Sequence, residues 1–406
     1  MCGIWAVFGV EGETLNCVCN NFNKISHRGP DALRVENDSR VKNAFLGFHR
    51  LAILDSLCGM QPMRLYKYPN VFLICNGEIY NFKQLRDKYN FSYSSKCDIE
   101  IITHLYMNGG AKNVVNNLDG VFAFCLMDMQ ENKVLIGRDP YGGLIGLTDQ
   151  VTGDWTLEPF PPGHYEEYKI LENGKVELLS RVCYHKPGDK PSFDTYVPWD
   201  ALVPTDVQGN IVKLFTGAIE KRLMADRRIG CLLSGGLDSS LVASLVVKLA
   251  KKHNLPYKVQ TFAIGMGDSP DLRAARQVAQ FIDSEHHEIT FTEQDIADVL
   301  DNVIYTLETF DITTVRASVG MYLLAKYIKE KTSTTVIFSG EGADELAQGY
   351  IYFRDAPNSH DGHEESLRLL KDIYLYDGLR ADRTTSAYSL ELQKCLKKII
   401  QDKLSH

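Results

Sequence analysis

Short apolar runs broken by turn residues dominate the first part of the chain: Gly3 to Gly9, Phe45 to Leu54, Val71 to Cys75, Val121 to Met127 and Val134 to Gly137. Runs of that length suit strands better than helices, and two or three amphipathic stretches separate them. From about Asp206 the rhythm changes to strand followed by helix: Ile229 to Leu233 then Ser240 to Lys252, Val259 to Gly265 then Leu272 to Phe281, and Val336 to Ser339 before a helical opening at Glu341. This alternation predicts a parallel sheet with crossover helices. Trp155 to Pro204, rich in Pro, Gly and charge, reads as the end of a first domain plus a linker, which puts the boundary near residues 190 to 205. The expected domains are therefore residues 1–190 and 205–406. No fixed-period repeat or low-complexity tract interrupts them. Lys394, Lys397, Lys398 and Lys403 around Ile399 and Ile400 read as a solvated terminal helix.

Composition narrows the classes. A chain of 406 residues exceeds what one core usually organises, and 44% hydrophobic with 24% charged residues is ordinary globular material. A formal charge of −8 argues against a broad phosphate-neutralising surface, so no nucleic-acid partner is expected and any phosphate must be bound locally. Nothing near the N-terminus has the order of a signal peptide, and no apolar run approaches the ~20 residues needed to cross a bilayer. The expectation is a soluble, cytoplasmic protein with no membrane partner. Ten cysteines in so long a chain read as reduced thiols, and Cys17 and Cys19 lack the C-x-x-C spacing of a zinc site.

The first chemical constellation starts at Met1-Cys2-Gly3-Ile4. Removal of Met1 would leave Cys2 with a free α-amine, of pKa near 8, beside a thiol near 8.5, so one residue would hold nucleophile and base. With His27 to Asp31 (His-Arg-Gly-Pro-Asp) and Asn76 to Asn81 (Asn-Gly-Glu-Ile-Tyr-Asn), the segment resembles the class II glutamine amidotransferases. The resemblance implies that Cys2 attacks the carboxamide while the Asn76 side chain and Gly77 backbone stabilise the oxyanion, a task that needs donors aimed at developing charge. It places glutamine among Arg50, Leu51, Ala52, Ile53 and Leu54, with Arg50 for the α-carboxylate and Asp98, with Glu78, for the α-ammonium. The rival arrangement pairs Cys2 with His27 or His49 as a papain-like dyad.

The second constellation is Ser234-Gly235-Gly236-Leu237-Asp238-Ser239-Ser240, between a predicted strand and a helix. Glycines there let backbone N–H groups approach phosphate, and the helix N-terminus adds partial positive charge. No Gly-Lys-Ser/Thr follows, so this is not a Walker A loop. It resembles the pyrophosphate loop of N-type ATP pyrophosphatases, which implies ATP bound by Ser234, Gly235, Gly236 and Ser239, with Asp238 on Mg²⁺. Asp311 to Arg316 and Ser339-Gly340-Glu341-Gly342-Ala343-Asp344-Glu345 narrow the likeness to the asparagine synthetase family, with Ala343 where the family has Ser. Thr313, Thr314 and Arg316 would then bind aspartate, Ser339 and Gly340 the nucleotide, Glu341 would serve the adenylate step, and Asp344 would be a second Mg²⁺ ligand. Leu232 and Ile264 would flank adenine.

The resemblance implies an N-terminal α+β Ntn-hydrolase-like sandwich followed by a doubly wound α/β domain. The implied reaction makes asparagine from aspartate, ATP and glutamine-derived ammonia through β-aspartyl-AMP, with an internal ammonia passage and a homodimer joined through the front domains. Two family segments have no counterpart here: core strands expected after Gly137 to Gly142, and a C-terminal lysine motif past Glu391-Leu392. Losing inner strands should leave unpaired edges. Losing a cation near the α-phosphate should cost several powers of ten in rate, on the scale of ~3 to 4 kcal/mol for other lost electrostatic stabilisers. The alternative reading is a shortened isoform or paralogue that binds nucleotide or a partner without full synthetase activity.

Overall fold

A computed structural model describes residues 2–10, 15–140, 146–151, 154–186, 188–307 and 312–372. The terminal Lys-bearing stretch, Met1, Asp311 and residues 141–145 lie outside the described residues. The chain forms two units that meet in sequence between Arg227 and Arg228.

The first unit runs β1 (Gly3–Val7), α1 (Leu15–Asn23), β2 (Ala32–Glu36), β3 (Phe45–Arg50), β4 (Val71–Ile79), α2 (Phe82–Tyr89) and α3 (Glu100–Asn117). It continues through β5 (Gly120–Asp128), β6 (Lys133–Arg138), β7 (Gly146–Val151), β8 (Asp154–Pro159), β9 (His164–Ile170), β10 (Val176–Cys183) and α4 (Val207–Glu220). Two sheets result, β1-β3-β2 and β10-β9-β6-β5-β4, with β7 and β8 as a separate ribbon.

Side-chain alternation stacks these sheets. Along β4, Phe72 and Ile74 join a core with Leu46 and Phe48 of β3, whereas Leu73, Cys75 and Ile79 join another with Leu85 of α2 and Ile101, Ile102 and Leu105 of α3. Both faces of the larger sheet are thus covered, and its strands read as unbroken apolar runs because period 2 is hidden when each side meets a core. On β3 the same alternation turns Gly47 and His49 the other way, onto Phe22 of α1: the His49 and Phe22 rings stack at 3.9 Å, and a Cβ on Gly47 would come within 2.6 Å of the Phe22 ring. The order is helix, sheet, sheet, helix, which is the α+β sandwich expected.

One expectation fails here. The larger sheet has no unpaired inner edge after β6, because β9 pairs antiparallel with it from Lys133↔Lys169 to Gly137↔Tyr165. The segment read as domain end plus linker therefore contains β9, an inner strand, and β10, an outer one. Its charges belong there: Glu166, fully buried on β9, takes hydrogen bonds from Arg181 of β10 and from the Tyr168 hydroxyl.

The second unit runs β11 (Arg228–Leu232), α5 (Leu237–Lys252), β12 (Gln260–Met266), α6 (Pro270–Ile282), β13 (Glu285–Phe291), α7 (Glu293–Leu307), α8 (Ile312–Lys331), β14 (Thr334–Phe338), α9 (Ala343–Ala347) and α10 (Ser359–Asp372). Its sheet is all parallel, in the order β13-β12-β11-β14. Phe262 of β12 packs with Leu324 and Ile328 of α8, while the position of a Cβ on Gly265 lies 3.0 Å from Leu272 of α6. Helices therefore cover both faces, as in a doubly wound fold. Among the described residues no helix is long and apolar enough to cross a membrane.

Phe262 is fully buried at the centre of this sheet. Phe262→Ala should lower the stability of the second unit by about 3 to 5 kcal/mol, read from the midpoint of its denaturant unfolding.

Candidate functional site

In the first unit, residues 51–58 leave β3 as an irregular loop, and side chains hold it. The Leu51 N–H points at Cys2 Sγ at 3.3 Å, and the thiol in turn lies 3.4 Å from Leu51 O. Arg28 donates to Cys2 O at 3.2 Å, Asp31 accepts from the Ala52 N–H at 2.8 Å, and the Asp31 N–H donates to Arg50 O. The His-Arg-Gly-Pro-Asp turn thus ties the thiol strand to the loop. Gly29 is required for it: a Cβ there would lie 2.1 Å from His49 O.

Arg50 is 7% exposed and donates to the carbonyls of Leu54 (3.3 Å), Asp55 and Ser56 (3.0 Å). Three of the five guanidinium donors are thus spent on backbone carbonyls, and the Nε–H and one Nη1 hydrogen are left over. Asn76 and Gly77 lie side by side on β4, with the buried Oδ1 of Asn76 lacking any hydrogen-bond partner. Gly77 admits no side chain, since a Cβ would sit 2.2 Å from Val121 O of the paired strand. Asp98 is buried and accepts from the Ile79 N–H at 2.7 Å.

Electrostatically these groups are under-compensated. Burial pushes the Cys2 thiol up, opposed by the Leu51 N–H, the chain's N-terminus and Arg50. Burial, then the charge of Asp98, pushes Glu78 up to about 7. Burial raises Asp98 to about 6, against backbone N–H groups that favour its charge. A thiol held protonated needs a base in reach. His49 does not fill that role: its Nε2 lies 3.2 Å from Phe22 O and its ring is stacked. His27 is exposed in a short 3₁₀ turn. Neither histidine is hydrogen-bonded to Cys2, so the dyad arrangement finds no support.

In the second unit, strand order reverses between β11 and β14, the place where open parallel sheets bind ligands beyond their carboxyl ends. The loops leaving those two strands are residues 233–236 and 339–342. Ser234 and Ser239 hydroxyls bond at 2.9 Å, and Ser239 Oγ also accepts from the Ser234 N–H at 3.2 Å, which curls the first loop onto the start of α5. Gly235, at φ +83°, passes against Ala274 and Ala275 of α6. The second loop touches the first: a Cβ on Gly340 would lie 3.0 Å from Ser239 N and 3.2 Å from Asp238 Cβ. Asp344 stands in the first turn of α9, and Glu341 N–H donates to Ser339 Oγ at 3.1 Å.

Leu232 and Ile264 pack against Phe262 on the α8 side of the sheet. Arg316 is exposed on α8, one turn before Gly320, whose Cβ position lies 3.9 Å from Ile264. Thr314 is half-buried on α8, and the side chain of Thr313 lies outside what is described. Among the described residues no cluster of three metal-ligating side chains occurs. Asp238 and Asp344 each stand in the first turn of the helix that follows a switch-point loop, and one or two protein carboxylates are what Mg²⁺ takes when phosphates and water fill the rest of its shell.

A half-buried Cys2 thiol near the start of the chain, joined to a glycine-serine loop at the switch point of a parallel sheet, is the combination expected of an amidotransferase coupled to a nucleotide-dependent synthetase. Family models agree: the glutamine amidotransferase domain matches residues 1–144 and asparagine synthase matches 210–365. The chain is 52% identical to the glutamine-hydrolysing asparagine synthetases of Rattus norvegicus and Bos taurus and 51% identical to that of Homo sapiens. Each alignment covers 97% of this chain and 74% of the relative. It belongs to the family of glutamine-hydrolysing asparagine synthetases.

Sequence reasoning gave no role to Asp31 or Asp55, whose carboxylates hold the loop. Asp31 lay inside a quoted motif, whereas Asp55 carries no local signal beyond being an Asp able to adopt the left-handed backbone, φ 50°. The raised carboxylates yield a pH prediction. A cation such as an α-ammonium favours the charged form of a carboxylate, so protons would compete with it here as pH falls through about 7 and then about 6. Calorimetric titration of L-glutamine into Cys2→Ala protein should show Kd rising about tenfold from pH 8 to pH 6.

Proposed function

We propose that the protein makes asparagine from aspartate, using ammonia released from glutamine in the first unit and ATP spent in the second. In functional terms the glutaminase part is residues 1–190 and the synthetase part residues 205–406. The reading rests chiefly on one observation: Gly340 lies against Asp238 and Ser239 where the parallel sheet reverses its strand order.

In the first unit, the α-amine freed by loss of Met1 takes the Cys2 thiol proton as sulfur attacks the glutamine carboxamide. The Asn76 amide and Gly77 N–H stabilise the oxyanion, Arg50 holds the α-carboxylate, and Glu78 with Asp98 takes the α-ammonium. Leu51 to Leu54 line the amino acid. Ammonia leaves, and water releases glutamate from the thioester.

In the second unit, Ser234, Gly235, Gly236, Ser239, Ser339 and Gly340 bind ATP, and Leu232 and Ile264 flank the base. Thr313, Thr314 and Arg316 present aspartate. Its β-carboxylate attacks the α-phosphorus, expelling pyrophosphate and giving β-aspartyl-AMP, with Glu341 serving that step; ammonia then displaces AMP. Asp238 and Asp344 would hold Mg²⁺, which would supply neutralising charge for the pyrophosphate. The family also supports a homodimeric, cytoplasmic enzyme.

Pyrophosphate release from ATP should require aspartate, both with ammonia and with glutamine; its absence under both conditions overturns the reading. Gly340→Val, which pushes a side chain into Asp238, should abolish this release while glutamine hydrolysis persists. Acetylating the Cys2 amine should lower glutaminase kcat at least about a hundredfold, whereas His49→Gln should retain it.

A further inference from the structure

The loop that carries the glutamine groups is held from a distant part of the first unit. The Asp55 N–H donates to Asp226 Oδ2 at 3.0 Å, and the Asp226 N–H donates to Ile53 O at 3.1 Å. These two bonds grip residues 53–55 from both sides. Asp55 has a left-handed backbone, φ 50°, which is uncommon for an L residue though Asp adopts it more readily than most.

Asp55 also links the two ends of the amino-acid site. Its carbonyl accepts from Arg50, and its carboxylate accepts the Lys96 N–H at 2.7 Å and the Cys58 N–H at 3.0 Å. Lys96 is two residues before Asp98. Burial opposes the Asp55 charge, but the N–H groups of Cys58, Lys96 and Leu57 outweigh it and keep its pKa below the ordinary value. The residue therefore remains an anionic acceptor at neutral pH, with its own N–H committed to Asp226.

We propose that Asp226 is a positioning residue for glutamine, fixing Asp55 so that Arg50 and Asp98 are set at the spacing of one amino acid's carboxylate and ammonium. The proposal rests on the glutaminase reading above. Asp226 touches neither substrate nor thiol, so its loss should move glutamine binding and leave the chemical step alone.

The test uses the full chain and follows glutamate production from glutamine in wild type, Asp226→Ala and Asp226→Asn. Asp226→Ala removes the acceptor of the Asp55 N–H, whereas Asp226→Asn keeps an oxygen there. The expected result is a glutamine KM raised about fivefold in Asp226→Ala, kcat within about twofold of wild type, and KM restored in Asp226→Asn. If Asp226→Ala does not fold, Asp226→Glu, which displaces the acceptor by one methylene, should raise KM in the same direction. Unchanged KM in an active variant overturns the proposal, as does a fall in kcat alone or a defect that Asp226→Asn shares. A wild-type chain that hydrolyses no glutamine overturns the glutaminase reading itself, and the positioning role falls with it.

Discussion

An irregular loop must find a partner for each backbone group it hides from water, and the partly buried residues 51–55 do so with side chains. Helices and strands meet that demand internally; a loop cannot. Here Cys2, Asp31, Arg50, Asp55 and Asp226 supply the missing donors and acceptors. Arg50 acts locally, but Cys2, Asp31 and Asp226 are distant in sequence from what they hold, so the loop takes its shape only when β1, the turn at residues 27–31 and the segment after α4 have come together. The same bonds that satisfy the backbone fix the positions of a thiol, a guanidinium and a carboxylate.

The second unit solves a different problem with backbone alone. Parallel strands send their helices to opposite faces, and where the order reverses two loops diverge and leave a crevice. Glycine decides how narrow that crevice is. Gly235 lies against α6 and Gly340 against the start of α5, and a Cβ at either place would collide with neighbouring backbone or side-chain atoms. Small residues there let backbone N–H groups, rather than basic side chains, face whatever enters the crevice. This is consistent with a chain of net charge −8 that has no need of a basic surface.

How much of this was legible depends on which signal each element carries. Strands buried on both faces, such as β4, β5 and β11, appear as apolar runs, and the phosphate loop appears as an unusual density of Gly and Ser between such a run and a helix. β9, β10 and β13 were missed because charged residues stand within them: buried Glu166, and Arg181, Glu285 and Glu288, interrupt any apolar count, and their compensation comes from other strands or helices. The glutamine groups were legible as motif residues, but not the loop support, since Asp226 reaches Asp55 across 171 positions and no local pattern records that. The sheet's continuity across the shortened region was likewise invisible, because pairing of β6 with β9 is a matter of register.

The first site is also incomplete as a set of charges. A thiol, Glu78 and Asp98 are all pushed toward their protonated forms by burial, with Arg50 already spent largely on carbonyls. Such an arrangement is costly unless a cation joins it. On the glutaminase reading proposed above, the α-ammonium of an amino acid is that cation, whereas a simple amide carries none. On the same proposed reading, selectivity for an amino-acid amide then follows from electrostatics before shape, because a ligand that brings its own positive charge relieves both carboxylates.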